Sequence, residues 1–361
     1  MESISLSPDQ SLELILDNLA EVIGRKELEE KVRSGVPLKV YWGTAPTGKP
    51  HLGYLIPMIK IAQLVKAGCE LTIMFADLHA YLDAMKTSWE LLEYRTKYYS
   101  ELIVQILQRL QVDTTKIRFI KGSEYQLKPD YTIDVYKLAS KLTIDSAKKA
   151  GAEVVKQSID PALSGLIYPI LQILDEVYLG TDAELGGVDQ RKIFMASHDH
   201  IHKIGYKPNI HLMNRMIPSL NSQIKDNEDD ELGEKMSSSD SNSKIELTSS
   251  SKVIRKKISK AYLEEGNIRS PVLEFVKHVI FPINKLLGSD EFVIQRDIKW
   301  GGPIEFKSFD QLTNAYGEKT LSPQDLKLGI ADWVINFLEP IRDYFSTYKM
   351  QELESEAYPD V

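Results

Sequence analysis

Between Gly43 and Tyr54 the chain reads GTAPTGKPHLGY, which sets a threonine, a lysine and a histidine close together and holds them with two prolines. Gly43, Gly48 and Lys49 have the spacing of a phosphate-cradling P-loop, but Pro50 stands where that loop needs a hydroxyl for Mg2+. Pro46 and Pro50 also lack the N–H groups that would face a phosphate. The alternative is a rigid turn that delivers His51 to the start of the next helix, where an imidazole and unpaired N–H groups suit an anionic phosphate. Thr47 would add a hydroxyl donor. Far along the chain, Lys235 to Ser239 reads KMSSS, a lysine before small hydroxyl residues that could follow a departing pyrophosphate. A third group, Tyr168, Gln172 and Asp175, falls at i, i+4 and i+7 on one helix face, with Leu163, Leu166, Ile170, Leu174 and Val177 around it. Three hydrogen-bonding side chains in a line make a wall for a polar substrate.

These groups need a frame. Ser7, Pro8 and Gln10 form a helix-start signature, and Leu12, Ile15, Leu16, Leu19 and Ile23 predict one helix that Gly24 stops. LKVYWG (Leu38 to Gly43), a helical stretch from Leu52 to Ala67 closed by Gly68, and ELTIMFAD (Glu70 to Asp77) make a parallel strand–helix–strand unit. A helix from Ser88 to Leu110 and the strand KIRFI repeat the alternation. The expectation is an α/β fold with a Rossmann-like doubly wound parallel sheet, whose ligands sit at the carboxyl ends of its strands. Tyr41 and Asp77 are expected at two such ends, beside one crevice. From about 221 to 250 the chain turns polar, with an acidic run (226–234) before KMSSS, and reads as a mobile loop. Beyond it a mainly helical region carries Lys252, Arg255, Lys256 and Lys260 on one face and a long helix from Pro323 to Tyr348. The expected division is a helical segment 1–36, a catalytic domain 37–249 and a helical domain 250–361.

Composition narrows the class. A formal charge of -8 over 361 residues means that a nucleic acid would be met by local basic patches rather than a global field. One cysteine, Cys69, excludes an internal disulfide and fits a reducing compartment. MESISLSPDQ lacks the basic and apolar regions of a signal peptide, and no apolar run reaches the ~20 residues of a membrane span, so a cytoplasmic protein without membrane contact is expected.

PTGKPHLGY and KMSSS together resemble the HIGH and KMSKS signatures of class I aminoacyl-tRNA synthetases. With YWGTAPTGKPHLGY, FADLHAYLD, LSGLIYPILQILDEVYLGTDAELGGVDQRKIF and HLMN, the chain is similar to tyrosyl-tRNA synthetases of the eukaryotic and archaeal type. The resemblance implies a homodimer with a Rossmann catalytic domain and a helical anticodon-binding domain, which activates L-tyrosine with ATP and Mg2+ and transfers it to tRNA(Tyr). It assigns Tyr168 and Gln172 to the amino group of tyrosine, Asp175 and Tyr41 to its phenolic hydroxyl, and Gln190 to its carboxylate. Pro46, Gly48, Gly53, Gly187, Asp189 and Met236 fall to ATP, with Gly186 and Gly187 letting the backbone approach the adenylate. Thr47, His51, Lys235, Ser237 and Ser238 form the catalytic set, without a dedicated metal site. Lys149 and Arg191 fall near the acceptor stem, Trp300 and Asp325 around an anticodon base. Two positions depart from the pattern: Tyr54 replaces the last histidine of HIGH, and Ser238 replaces the second lysine of KMSKS. Lys49 or a monovalent cation could supply the missing charge. A tryptophanyl enzyme shares this architecture, but an indole has no hydroxyl for Tyr41 and Asp175.

Overall fold

Strands that are predominantly apolar and buried belong in a parallel sheet covered on both faces, and the inner strands of the central sheet are such runs. The computed structural model describes residues 6–83, 86–155, 162–220 and 244–359; Lys235, Met236, Ser237, Ser238 and the acidic run before them lie outside the described residues. The sheet holds β1 (Leu19–Ile23), β2 (Lys39–Thr44), β3 (Glu70–Phe75), β4 (Ile117–Lys121), β5 (Ala183–Gly187) and β6 (Ile210–Asn214), in the spatial order β1-β6-β5-β2-β3-β4. All neighbours are parallel except β1, which runs antiparallel to β6. From β2 the chain winds outward through β3 to β4, then crosses back to β5 and β6, so the winding reverses between β2 and β5. A doubly wound sheet opens its ligand crevice at that reversal.

Register decides which side chains meet there. Tyr41 pairs with Glu184 across β2 and β5, and Glu184 pairs with His211 across β5 and β6, so these three side chains stand in a row on one face. Val40, Trp42 and Leu185 alternate to the other face and join the larger hydrophobic core. Tyr41 and Met74 pack instead against Ile170, Leu171 and Leu174 of the helix Ser164–Tyr178.

The N-terminal segment differs from expectation. Its helix covers only Pro8–Leu16, and Leu19 and Ile23 belong to edge strand β1. The chain turns at Asn18, whose φ is +59°. Lys60, 1% exposed, ends the helix from below: its Nζ donates to the carbonyls of Leu14 (3.4 Å), Ile15 (3.1 Å) and Asp17. Helical spacing alone does not register such a cap. Gly24, at φ +81°, then starts the next helix, Arg25–Arg33, instead of stopping the first.

Past Ser250, which caps the helix Ser251–Ser259, the chain is helical apart from a two-stranded sheet, β7 (Phe292–Ile294) and β8 (Ile304–Phe306). The long helix runs Pro323–Phe345 and is followed by a shorter one, Tyr348–Ala357. Apolar packing is continuous across Ser250, from Leu12 to Tyr358.

Lys60→Met removes the donor to three helix-end carbonyls and is expected to destabilise the fold by about 1–3 kcal/mol, read as a lower urea midpoint. Ligand affinity at the crevice, whose lining does not include Lys60, is expected to stay within twofold, or about 0.4 kcal/mol.

Candidate active site

At the winding reversal lies a cavity of about 310 Å³ whose wall includes Tyr41, Thr47, His51, Gly53, Tyr168, Gln172, Asp175, Gly187, Asp189 and Gln190. It has three chemically different regions.

The deep end is built around Asp175, fully buried on the helix Ser164–Tyr178. One of its oxygens, Oδ1, accepts from the Tyr125 hydroxyl (2.7 Å), Gln126 Nε2 (2.8 Å) and the Tyr131 hydroxyl (2.8 Å). Among the described residues Oδ2 has no hydrogen-bond partner and the Tyr41 hydroxyl has no well-formed one, although the Glu184 carboxyl stands beside it. Burial pushes the Asp175 carboxyl up to about 7, although its three donors pull the other way. Burial also raises the Tyr41 phenol well above its usual range, with Glu184, Glu176 and Asp175 adding to the effect. His79 lies with Nε2 3.8 Å from Asp175 Oδ2 and edge-on to the Tyr168 ring at 4.6 Å. Burial lowers it to about 4, so it is neutral there. Two orphaned oxygens at the closed end of a cavity call for a ligand group that both donates and accepts.

In the middle, Gln172 Nε2 donates to Glu184 Oε1 and to Gln190 Oε1, each at 2.8 Å. Both amide hydrogens are therefore engaged inside the protein, and the Gln172 carbonyl oxygen is the atom left for a ligand.

The outer region is the turn 45–54. Thr87 Oγ1 donates to the Pro46 carbonyl (2.9 Å) and the Tyr99 hydroxyl to the Gly48 carbonyl (2.5 Å), so both residues support the turn and neither stands on the cavity wall. His51 Nδ1 accepts from Gly53 N at 3.1 Å, which assigns the ring proton to Nε2. A Cβ on Gly53 would lie 2.8 Å from His51 Cε1, so only glycine permits this fold-back. Tyr54 sits with its hydroxyl 3.3 Å from Thr44 Oγ1 and 3.4 Å from the Tyr99 hydroxyl.

Several expectations need correction. Tyr41 is the third residue of β2, not its end. Asp77 turns away from the crevice, its Oδ1 accepting from Leu78 N (3.0 Å) and Ser123 N (2.9 Å). Lys49 does not face the cavity: it pairs with Glu354 at 2.5 Å and lies 5.4 Å from the centre of the Tyr358 ring, so it offers no charge in place of a second loop lysine. Gly186 is glycine because a Cβ there would meet Phe194 Cζ at 2.5 Å; at Gly187 it would meet Asp189 Oδ1 at 2.4 Å. His79, Asp83, Glu184 and Arg215 also line the cavity and were given no role from sequence. Glu184 had a signal, a charge inside an otherwise apolar strand.

The distant candidates separate into two groups. Lys149 is exposed on the helix Ile144–Gly151, and Arg191 makes a bidentate ion pair with Glu21 at 2.8 and 3.0 Å. Trp300 is 69% exposed. Arg296 joins its turn to Asp325, with Nε donating to the Gly302 carbonyl (3.0 Å) and Nη1 3.7 Å from Asp325 Oδ2.

A reversing parallel sheet, a glycine-tight strand end beside Asp189 and a histidine turn at the mouth define the class of α/β proteins that bind a nucleotide together with a small polar molecule. Residues 33–339 match the family described as tRNA synthetases class I (W and Y), and the chain belongs to that family. It is 48% identical over 356 residues to a protein named tyrosine--tRNA ligase, cytoplasmic, from Danio rerio, covering 98% of this chain and 64% of that protein. The protein of the same name from Saccharomyces cerevisiae is 46% identical, over 98% of this chain and 89% of that one. Among solved structures, tyrosyl-tRNA synthetase from Archaeoglobus fulgidus, complexed with L-tyrosine, superposes with a TM-score of 0.82 at 32% identity, covering 93% of this chain and 99% of that one. The chain spans about 64% of the length of the fish and frog relatives it matches.

Because the Asp175 carboxyl holds its proton more tightly folded than unfolded, its stabilising contribution is full below pH about 4 and is lost as pH rises through about 7. Asp175→Asn has no such term. Thermal melts at pH 5 and pH 8 are expected to show the melting temperature of the variant gaining a few degrees on the parent over that interval; a constant difference would contradict the assignment.

Proposed function

We infer that this chain is a tyrosine–tRNA ligase, which forms tyrosyl-adenylate from L-tyrosine and ATP and passes tyrosine to the 3′ end of tRNA(Tyr). The observation that carries the reading is the pair of buried, unpartnered oxygens at the closed end, Tyr41 Oη and Asp175 Oδ2. A phenolic hydroxyl donates to the carboxylate and accepts from Tyr41, so it satisfies both. Phenylalanine satisfies neither, and the indole N–H of tryptophan only donates. Tyr168, Gln172 and Gln190, further out, suit the ammonium and carboxylate of an amino acid.

That ligand orientation directs the carboxylate toward the turn that carries His51. A carboxylate oxygen attacks the α-phosphorus of ATP, the bond to the bridging oxygen breaks, and pyrophosphate leaves; no general base is needed, because the nucleophile is already ionised. The enzyme's share is alignment and charge stabilisation. His51 Nε2–H and the Thr47 hydroxyl are the donors assigned to the phosphates, joined by Lys235, Ser237 and Ser238. Asp189 takes the ribose, with Pro46, Gly48, Gly53, Gly187 and Met236 completing the ATP site. A ribose hydroxyl of the tRNA end then attacks the acyl carbon and AMP departs. Mg2+ accompanies the ATP phosphates as part of the substrate; among the described residues the group of His and carboxylates close enough to hold a metal is the buried set Glu176, Glu184 and His211, at the sheet row below the amino-acid end.

For tRNA, Trp300 and Asp325 are assigned to the anticodon and Lys149 and Arg191 to the acceptor stem; for Arg191 this requires release from Glu21. Exposed Leu127, Ile133 and Tyr136 support a homodimer formed through that face. A cytoplasmic location follows the names of the relatives; no helix of the described residues is long and apolar enough to cross a membrane.

ATP/pyrophosphate exchange is expected with tyrosine and not with tryptophan, phenylalanine or no amino acid. Asp175→Ala is expected to lower kcat/KM for tyrosine at least ~100-fold, since buried donors lose their acceptor at about 1–3 kcal/mol each. His51→Ala is expected to slow adenylate formation roughly 10²-fold with little change in tyrosine affinity. Exchange supported equally by phenylalanine would overturn the reading.

Asp325→Ala is expected to cost about 1–3 kcal/mol in kcat/KM for aminoacylation while tRNA-free exchange is unchanged. Replacing the first anticodon base should then penalise the parent more than the variant, and equal penalties would remove Asp325 from base reading.

A further inference from the structure

Glu184 is an acidic residue in the middle of a buried strand, between Ala183 and Leu185, and is 2% exposed. Among the described residues no lysine or arginine pairs with it. The nearest basic group, His211 Nε2, stands 4.0 Å from Oε2 and is already bonded to Glu176 Oε1 at 3.1 Å. Burial and the neighbouring Glu176 raise the Glu184 carboxyl well above the usual range. A buried carboxyl without a cation is costly, so its contribution is sought in the close hydrogen bond it accepts from Gln172, beside which the Tyr41 hydroxyl also stands near the carboxyl.

That bond comes from Gln172 Nε2 to Glu184 Oε1. An amide presents an oxygen at one end and an NH2 at the other, and two facing glutamines, such as Gln172 and Gln190, satisfy each other equally well either way up. A carboxylate oxygen only accepts, and in the protonated form the carbonyl oxygen still accepts. Oε1 therefore dictates that the Gln172 nitrogen turns toward β5. The second hydrogen of that nitrogen goes to Gln190 Oε1, which sets the second amide as well: its nitrogen becomes the end available to a carboxylate. One acceptor thus orders two amides, so that an oxygen is offered where an ammonium would sit.

We propose that Glu184 is a positioning residue that fixes the polarity of the Gln172–Gln190 pair and thereby gives the pocket its preference for a ligand carrying a protonated amine. The inference rests on the tyrosine reading of the pocket and deepens it. Glu184 touches no substrate in this scheme; it also stands beside Tyr41 across the strand pair, and the comparison of ligands with and without the amine separates its effect on the amino end from any effect on the phenol end.

The test compares equilibrium binding of L-tyrosine, tyramine and 3-(4-hydroxyphenyl)propanoate to the full chain without ATP. Glu184→Leu is expected to weaken the two amines about tenfold, the loss of one charge-assisted contact, and the amine-free acid less than about threefold. Glu184→Gln, whose amide can turn either its oxygen or its NH2 toward Gln172, is expected to recover only part of the preference. If the leucine variant does not fold, Glu184→Met, of similar length and without a comparable acceptor, takes its place. Equal weakening of all three ligands, no weakening, or a glutamine variant fully as selective as the parent overturns the proposal. A parent chain that binds neither L-tyrosine nor tyramine overturns the tyrosine reading, and this inference with it.

Discussion

Asp175 has a carboxyl group out of contact with water, and the surrounding structure exists in large part to make that tolerable. A charge so placed costs several kcal/mol unless it is hydrogen-bonded. Tyr125, Gln126 and Tyr131 reach one oxygen from two short helical segments after β4, and those segments hold their positions through the second hydrophobic cluster. All three donors meet the same oxygen. The other is left to the cavity, where the Tyr41 hydroxyl is also unpartnered. The protein has spent its donors on one side of the carboxyl group, so the remaining side can be satisfied only by something that enters.

The sheet makes this arrangement possible because the reversal between β2 and β5 opens a gap at the carboxyl ends while keeping register below it. Tyr41, Glu184 and His211 stand abreast on three neighbouring strands. The helix Ser164–Tyr178 crosses above them with Tyr168, Gln172 and Asp175 on its lower face. The proposed recognition of one end of a ligand by Asp175 and of the other by Gln172 would thus follow from one helix lying over one row of strand residues, with Gln190 added by the turn after β5.

Much of this was legible in the sequence, and for identifiable reasons. Tyr168, Gln172 and Asp175 follow helical periodicity, and the helix is real over that span. The strands from β2 to β4 are short apolar runs between helical stretches and appear where alternation puts them. The glycines were legible as positions but not for their reasons: Gly53 and Gly187 lie where a side chain would collide with His51 or Asp189. What escaped was decided by contacts between residues far apart in sequence. Leu19 and Ile23 fit a helix as well as a strand, and the choice falls to pairing with β6 and to the Lys60 ammonium at the helix end. Asp77 sits at the end of an apolar run like any crevice residue, yet the N–H of Ser123 draws it away. Lys49 belongs to a signature stretch, and nothing local announces that its partner is Glu354.

That last pairing gives the outer turn an unusual dependence. The carbonyls of Pro46 and Gly48 are held by Thr87 and Tyr99, but the charge of Lys49 is neutralised by the helix Tyr348–Ala357, and Arg95 reinforces the same junction by donating to the Ala357 carbonyl at 2.9 Å. A segment made early in synthesis therefore acquires its final support only from residues made some three hundred positions later. Until those residues emerge, the turn that carries His51 lacks one of its anchors, so its final placement is a late event in the birth of the molecule.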